Sequence, residues 1–210
     1  AVLSTHTGGF SGYTFRDLTE DMPSIKDHWK KEGIQFEAIY TGYLGSAQQI
    51  DYVIDIFQET GADSCVKIVD PAMADNGNLY PGFDMAFAKA MGRLCIDADY
   101  VLPNITEAAF ITETEFKEEY DREYIDLLLE RLSAMGCKNI ILTGVSYREG
   151  YTGVVCYIDG EYTVKRVEMQ KGCAYLIPAN ENNKSYQPIK VTSDNEFIIW
   201  GVVTWTIKKM

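Results

Sequence analysis

The feature that most constrains the fold is a change in the period of apolar residues near residue 153. Between residues 34 and 145, short apolar runs alternate with longer stretches at helical spacing, which is the pattern of βα units around a parallel sheet. After residue 150 the apolar residues recur at every second position, which is typical of strands. We therefore predict an α/β segment over residues 1–152 and a small all-β segment over residues 153–210.

Individual elements follow from these periods. In the α/β segment, four apolar runs predict parallel strands: Phe36–Thr41, Cys65–Asp70, Tyr100–Leu102 and Asn139–Thr143. Amphipathic stretches predict helices over residues 17–31, 46–60, 83–96, 105–112 and 121–135. Right-handed connections predict helices on both faces of the sheet, in three layers. In the all-β segment we predict a hairpin turn at Asp159-Gly160 and strands over 154–158, 162–167, 174–178, 189–192 and 197–207.

Charge and cysteine pattern limit the classes of function. The chain has a formal net charge of −12, and 25 of its 31 acidic residues lie within residues 1–152. This negative charge argues against direct binding to nucleic acid, because that binding depends on Lys and Arg neutralising phosphates.

Five scattered cysteines without a Cys-x-x-Cys pair predict buried thiols in a reducing compartment. With no long apolar run and no signal-peptide pattern, we predict a cytoplasmic protein without a membrane span. The start at Ala1 rather than Met suggests that upstream sequence has been lost.

Polar residues follow the predicted parallel strands. Asp70 ends the second strand, Asn104 and Glu107 follow the third, and Thr143 ends the fourth. Because ligands bind at the carboxyl ends of the strands in open α/β sheets, we expect these side chains to gather at one edge. Carboxylate and amide oxygens suit Mg²⁺ and its waters, whereas hydroxyl groups and glycine amides suit phosphate oxygens. The sequence therefore predicts a site for a magnesium nucleotide.

Each of these residues also has a purely structural interpretation. An Asp after a strand is often a helix cap, Asn104 can cap a helix that begins at Ile105, and Thr143-Gly144 can form an ordinary turn. The acidic stretch Glu113–Glu123 is interpreted as a solvated face and turn. The nucleotide hypothesis therefore depends on the residues acting as a set.

Six motifs in the first 150 residues occur in a fixed order. They are VLSTHTGG (2–9), GYTFRDLTEDM (12–22), AIYTGYLGS (38–46), VDPAMADNGNLYPGF (69–83), PNITEAAF (103–110) and ILTGV (141–145). Together they closely resemble the bacterial pyridoxal (pyridoxine, pyridoxamine) kinases of the ribokinase-like superfamily. The resemblance implies a truncated ribokinase-like fold. It also implies an activity in which ATP and Mg²⁺ are used to phosphorylate the 5′-hydroxymethyl group of a vitamin B6 vitamer.

The resemblance also implies a role for each matched residue. Asn104 and Glu107 match the family's NxxE-type motif, which organises Mg²⁺ and its waters, and Asp70 matches an acid that supports the same metal and phosphate region. Thr143 matches a residue near the nucleotide phosphates. For His6, a structural hydrogen bond beside the glycine-rich turn is the open alternative to a contact with the vitamer. The residues matched to the vitamer side are Ser4, Thr5, His6 and Tyr43.

Two parts of the kinase pattern are missing from the chain. The family's general-base Asp and the backbone amides that stabilise the transferred group lie in a late GTGD-type motif, and no such run occurs in the 210 residues. The family's opening strand would precede Ala1. Loss of a positioned base costs about 10²- to 10⁴-fold in rate, and loss of the anion-stabilising amides costs more. We therefore expect little or no kinase turnover.

Three motifs mark the last part of the chain: DGEYTVKR (159–166), LIPAN (176–180) and GVVTWTIKK (201–209). From about residue 154 the chain resembles the carboxy-terminal part of the UmuD/LexA family of self-cleaving Ser-Lys peptidases. The resemblance places Lys165 on the general-base lysine, which desolvation keeps neutral so that it can deprotonate a serine. A solvated strand lysine is the alternative. The region that would hold the nucleophilic serine, residues 120–131, is a kinase-like helix, so we expect no self-cleavage.

Three functional hypotheses remain open at this point. The first is a pyridoxal kinase-family chain that binds ATP and a small-molecule vitamer with impaired turnover. The second is a UmuD/LexA-like interaction module, as in the SOS response, whose last strand pairs with its copy in a homodimer. The third is a join near residue 153 that arose by cloning, assembly or design and has no evolved function.

Overall fold

A computed structural model describes residues 1–5, 12–147 and 152–158, together with the backbone of residues 161–163, 165–170, 173–178 and 189–190. The helices are α1 Met22–Lys31, α2 Ala47–Thr60, α3 Met85–Asp97, α4 Ile105–Ile111 and α5 Arg122–Met135. The strands are β1 Val2–Ser4, β2 Phe15–Asp17, β3 Phe36–Thr41, β4 Gly61–Val69, β5 Ala74–Asp75, β6 Asn78–Leu79, β7 Tyr100–Val101, β8 Asn139–Val145, β9 Gly153–Ile158, β10 Glu161–Thr163, β11 Lys165–Gln170, β12 Cys173–Pro178 and β13 Ile189–Lys190.

Capping side chains set where the helices begin. The side-chain oxygens of Ser46, Asp84 and Asp121 each accept a hydrogen bond from a backbone N–H in the first turn of α2, α3 and α5. Helix α5 ends at Gly136, whose φ of 112° lies in the left-handed region that glycine adopts most easily. A short 3₁₀ turn, Thr19–Asp21, precedes α1, so the helix predicted from residue 17 begins at residue 22.

The central sheet is mostly parallel and confirms the predicted α/β class. Its strand order is β10-β9-β8-β7-β4-β3. Within this sheet, β3, β4, β7 and β8 run parallel to one another. Strand β9 pairs antiparallel with β8, and β10 pairs antiparallel with β9, with Glu161 opposite Ile158 as the hairpin prediction requires. The sheet therefore continues across residue 153, where the sequence predicts a change of domain.

The helices form one layer along the parallel strands. Strands β3, β4, β7 and β8 are adjacent in chain order, so right-handed connections place the intervening helices on the same face. The contacts agree, since each helix from α1 to α5 packs against the next. The prediction of helices on both faces is therefore wrong for the part of the chain that the structure describes. It failed because the side of each helix depends on strand order, which the apolar period does not encode.

Beyond the central sheet the backbone forms three smaller sheets. Strands β1 and β2 form a hairpin, β5 and β6 form a second hairpin, and β11, β12 and β13 form an antiparallel sheet. The predicted strands over 162–167, 174–178 and 189–192 correspond to β10 with β11, β12 and β13. The predicted strand 197–207 and the turn residues Asp159-Gly160 lie outside the described residues.

The core lies between the sheet and the helical layer. Residues such as Ile50, Leu94, Leu128 and Ile140 are fully buried there. Cys95 and Cys137 are buried free thiols, and burial raises the pKa of both. Cys65 and Cys156 are free but only partly buried, so the prediction of buried thiols holds for two of the four cysteines described. None of the described helices has the length and apolar character needed to cross a bilayer.

Candidate active site

Asp70 follows β4 directly and lies at the carboxyl edge of the sheet. Its backbone N–H donates to the carbonyl of Thr41 at 2.9 Å, which continues the β3–β4 pairing by one residue. Its Oδ2 accepts a hydrogen bond from the Tyr40 hydroxyl at 2.9 Å. Burial raises the pKa of Asp70, and the hydrogen bond from Tyr40 partly offsets this. Burial, together with the hydrogen bond to Asp70, raises the pKa of Tyr40 to about 12.

Asn104 and Glu107 form a reciprocal cap at the start of α4. The Glu107 N–H donates to Asn104 Oδ1 at 2.9 Å, and the Asn104 N–H donates to Glu107 Oε2 at 2.8 Å. The Asn104 amide also donates to the carbonyl of Ala74 at 2.8 Å. The structural interpretation of Asn104 is therefore confirmed. The capping role does not exclude a ligand role, because the cap stands at the same strand edge as Asp70.

Glu107 is the most perturbed carboxyl group at this edge. Its side chain is 3% exposed, and its Oε1 accepts hydrogen bonds from the backbone N–H groups of Met73 at 3.1 Å and Ala74 at 3.5 Å. Burial raises its pKa from 4.5 to about 7; the backbone hydrogen bonds oppose this shift, and the charge of Asp70 adds to it. Both carboxyl oxygens of Glu107 therefore accept hydrogen bonds from backbone N–H groups, Oε1 from residues 73 and 74 and Oε2 from Asn104.

Thr143 and Asn104 are directly opposite each other across the ends of β7 and β8. They form a parallel bridge, and the Thr143 N–H donates to the carbonyl of Pro103 at 2.8 Å. The Thr143 hydroxyl contacts the same carbonyl at 3.3 Å. The structure thus brings Asp70, Asn104, Glu107 and Thr143 to one edge, as expected for parallel strands whose carboxyl ends lie together.

A β-hairpin that the sequence reading missed forms one wall of the site. Strands β5 and β6 pair antiparallel around Asn76 and Gly77, whose φ angles are 49° and 74°. The Gly77 N–H donates to the Thr106 hydroxyl at 3.0 Å, which ties the hairpin to α4. The Asn-Gly dipeptide between short strands is the sequence signal that could have identified this turn.

A cleft of about 320 Å³ opens between this hairpin, the start of α4 and the end of β8. It lies beside Asn104, whereas Asp70 and Glu107 do not line it. Its wall is partly acidic and partly aromatic. The lining residues are Asp75, Asn76, Asn104, Ile105, Thr106, Phe116, Glu118, Tyr120 and Gly144.

The residues matched to the vitamer side lie in a second group of loops. Ser4 is in β1, and Thr5 continues the hairpin, because its N–H donates to the Thr14 carbonyl at 3.0 Å and its hydroxyl accepts from the Thr14 N–H at 2.9 Å. Tyr43 packs against Phe83 with ring centroids 5.4 Å apart. His6 lies outside the described residues.

The buried side-chain amide of Gln49 joins the β1–β2 hairpin region to the loop that holds Tyr43. The fully buried Gln49 accepts a hydrogen bond from the Gly45 N–H at 2.9 Å and donates to the Ala1 carbonyl at 3.1 Å and the Thr19 hydroxyl at 2.7 Å. Burial raises the pKa of Tyr43, and the nearby Tyr13 and Asp17 of the hairpin region add to this shift. The β1–β2 hairpin and the Tyr43 loop therefore lie side by side.

For a metal ion, the described side chains supply an incomplete shell. No cluster of three or more His, Cys, Asp or Glu side chains that could hold a metal forms among them. Mg²⁺ commonly keeps several waters and takes one or two carboxylates plus substrate phosphates, so this set fits an ion that arrives with a nucleotide. Asp70 would hold such an ion, with Glu107 acting through water because both its oxygens already accept backbone hydrogen bonds. For Lys165 the structure describes only the backbone, at the start of β11.

The comparisons with known proteins agree with the motif resemblance. Residues 25–173 match the family model described as phosphomethylpyrimidine kinase, which includes β9 and β10. A pyridoxal kinase from Dictyostelium discoideum is 27% identical over 111 residues, which cover 52% of this chain and 35% of that protein. A LexA repressor from Alcanivorax borkumensis is 46% identical over 55 residues, or 26% of this chain and 25% of the repressor.

Solved structures show the same fold. A Bacteroides thetaiotaomicron protein described as a phosphomethylpyrimidine kinase, in a crystal form with pyridoxal, is 33% identical with a TM-score of 0.71 over 83% of this chain and 58% of its own. A Leishmania donovani pyridoxal kinase in complex with ADP and pyridoxamine is 20% identical, with a TM-score of 0.62 over 84% of this chain and 60% of its own. The chain therefore spans less than two thirds of the relatives it matches.

Proposed function

The chain belongs to the phosphomethylpyrimidine kinase family, and from that premise we propose that it binds a magnesium–ATP complex at the carboxyl edge of its sheet, with a vitamin B6 vitamer as the phosphoryl acceptor. The observation that carries this proposal is the convergence of Asp70, Asn104 and Thr143 on one strand edge beside an open cleft. Burial raises the pKa of the Asp70 and Glu107 carboxyl groups at this edge, and such shifts are common at functional sites.

The two loop groups suggest a division of the site. In this proposal Asp70, which follows β4, holds the nucleotide-bound Mg²⁺, and Thr143 with the end of β8 takes the phosphate side. The β1–β2 hairpin and Tyr43, which Gln49 links, supply aromatic and hydroxyl groups for a pyridine ring with polar substituents. The bound Mg²⁺ would neutralise charge on the transferred phosphoryl group. Pyridoxal in the Bacteroides relative and pyridoxamine in the Leishmania relative support this choice of acceptor.

Turnover is proposed to be slow in this 210-residue chain. Transfer to a hydroxymethyl group needs a base for the hydroxyl proton and donors that stabilise the moving charge, and the sequence holds no GTGD run that would supply them. We therefore propose nucleotide binding with a rate of phosphoryl transfer lowered by about 10²-fold or more, the effect of removing a positioned general base.

Calorimetry and a turnover assay together test this function. We expect the chain to bind ADP with Mg²⁺ present and to bind it much more weakly when EDTA removes the metal. With MgATP and pyridoxal, formation of ADP and pyridoxal 5′-phosphate should be slow, with a full-length kinase of the same family as the positive control. Absence of MgADP binding contradicts the binding proposal, whereas turnover at the rate of the control contradicts the proposed impairment.

A second role, homodimer formation through the carboxy-terminal segment, is favoured by the 46% identity with part of a LexA repressor. Because β9 and β10 belong to the central sheet, a deletion that tests this role should remove residues 164–210 and keep 153–163. Light scattering on the full chain and the deleted chain gives the two masses. We expect a dimer that becomes a monomer on deletion; an unchanged number of subunits contradicts the role.

A further inference from the structure

A connecting segment between α4 and α5, residues 114–121, runs across the top of the cleft; we refer to it as the strap. The sequence interpretation assigned this acidic stretch to a solvated face. Its acidic side chains are exposed, as predicted, and the structure also ties the segment to α5 at two points. Arg131 Nη1 donates to the Thr114 hydroxyl at 2.9 Å, and the buried Tyr124 hydroxyl donates to the Glu115 carbonyl at 2.9 Å. The strap is therefore an ordered wall of the cleft.

At one end, Tyr120 of the strap contacts the end of β8 and the residue that follows it. The Ser146 N–H donates to the Tyr120 hydroxyl oxygen at 2.8 Å, and that hydroxyl lies 3.5 Å from the Gly144 carbonyl. The Tyr147 ring meets the Tyr120 ring edge-on, with centroids 6.4 Å apart. These contacts fix the backbone immediately after Thr143, which is the residue assigned to the phosphate side of the site.

At the other end, Phe116 of the strap covers the β5–β6 turn. A methyl group added to Gly77 would lie 2.7 Å from the Phe116 ring, so the ring packs directly on the glycine backbone. The same turn is held from below by the hydrogen bond from Gly77 to Thr106. Phe116, Tyr120 and Gly144 all line the cleft. The strap thus contacts both the β5–β6 turn and the end of β8, and both of these line the cleft.

We propose that Tyr120 is a positioning residue for nucleotide binding, which holds the end of β8 just after Thr143 in place through Ser146 while Phe116 anchors the same strap to the β5–β6 turn. This inference rests on the proposed function, because it assumes that the phosphates of a nucleotide lie beside Thr143 and Gly144. The phenol oxygen is the essential group, since it accepts the Ser146 hydrogen bond. The ring alone would keep the packing but not the backbone position.

The experiment compares the full chain with Tyr120→Phe and with Tyr52→Phe as a matched control. Tyr52 also loses one hydrogen bond on substitution, the one it accepts from Gln48 at 2.7 Å, but it lies on α2 away from the cleft. Loss of one such hydrogen bond corresponds to about five-fold in affinity. We expect Tyr120→Phe to weaken MgADP binding about five-fold and Tyr52→Phe to leave that affinity unchanged, while the two variants lower the melting temperature by similar, small amounts.

Amide hydrogen exchange at Ser146, read by NMR, separates a positioning role from a general loss of stability. In Tyr120→Phe this amide should exchange faster while core amides of α5 keep their protection. An unchanged Ser146 rate overturns the proposal whatever the affinity does. Faster exchange with unaltered MgADP affinity also overturns it, because the end of β8 would then be loosened without consequence for the nucleotide. If the unaltered chain binds no MgADP, the proposed function fails and the positioning role fails with it, while the exchange data still report whether the contact exists.

Discussion

The acidic side chains at the two ends of the parallel strands have different partners. At the amino ends of β7 and β8, Asp99 accepts hydrogen bonds from the Lys67 backbone at 2.9 Å and from the Lys138 ammonium at 3.0 Å. Asp97 lies 3.6 Å from the Lys67 ammonium. At the carboxyl edge, Asp70 and Glu107 form no ion pair with any basic group among the described residues, and their partners are a tyrosine and backbone amides.

This difference separates structural acids from candidate ligand groups. Burial alone would raise the pKa of Asp99, but the hydrogen bonds from Lys67 and Lys138 outweigh burial and lower it. For Asp70 and Glu107, burial has the largest effect and no cation offsets it, so their pKa values rise. Carboxyl groups whose pKa values are raised and that have no basic partner are more common at functional sites, and the proposed function assigns to these two a cation carried by a nucleotide.

The largest expected effect concerns Glu107 and pH. Because folding raises its pKa from 4.5 to about 7, the protonated side chain contributes stability that is fully present below about pH 4.5 and lost as pH rises to about 7. The loss amounts to about 3 kcal/mol. Urea unfolding at pH 5 and pH 8 should therefore show the wild-type chain losing more stability than Glu107→Gln, whose side chain does not titrate. An equal loss in both chains would mean that Glu107 titrates as an ordinary surface carboxylate.

A charge-neutralising pair of substitutions compares the two ends directly. Asp70→Asn removes an acid from the carboxyl edge, whereas Asp99→Asn removes one from the amino end with a similar change in size. We expect Asp70→Asn to weaken Mn²⁺–ADP binding roughly 10- to 100-fold, the range seen when groups that support a metal are changed. Asp99→Asn should leave that affinity unaltered. Calorimetry with Mn²⁺–ADP measures both, and equal weakening would remove the distinction between the ends.

Glycines next to each edge extend the comparison to packing. Gly77, at the carboxyl side, has a φ of 74° and lies under the Phe116 ring, at 2.7 Å from an added methyl group. Gly136, at the amino side, has a φ of 112°, and its nearest atom is the Ile96 side chain at 3.3 Å. Both alanine variants bear backbone strain, but only Gly77→Ala also displaces an aromatic ring. We expect it to cost about 1.5 kcal/mol more in free energy of unfolding than Gly136→Ala; equal costs would show that the strap yields freely.

The sequence predicted those parts of the molecule that depend on local patterns. Strand β3 was predicted with its observed bounds, and the residues that gather at the carboxyl edge follow from parallel strands ending together. Contacts between distant segments were not predictable: Tyr40 reaches Asp70 across neighbouring strands, and Tyr120 reaches Ser146 from a stretch whose charges suggested a solvated face. The change of apolar period near residue 153 predicted a separate segment, but β9 pairs with β8 of the parallel sheet. The apolar alternation of a strand does not show which strand it pairs with.

The smallest expected effect tests the amino end itself. The Asp99–Lys138 pair is partly exposed, with 32% of the Asp99 side chain accessible, so solvent screening limits its value to about 0.5 kcal/mol. Folding lowers the pKa of Asp99, so this stability is present above the unfolded pKa and is lost as pH falls through the folded one, the opposite direction to Glu107. Lys138→Met should therefore destabilise the chain slightly at pH 7 and have less effect at acidic pH, as measured by urea unfolding. A loss that does not shrink as pH falls would show that Lys138 does not act through the Asp99 carboxylate, and the contrast between compensated and uncompensated acids would then rest on the Lys67 contacts alone.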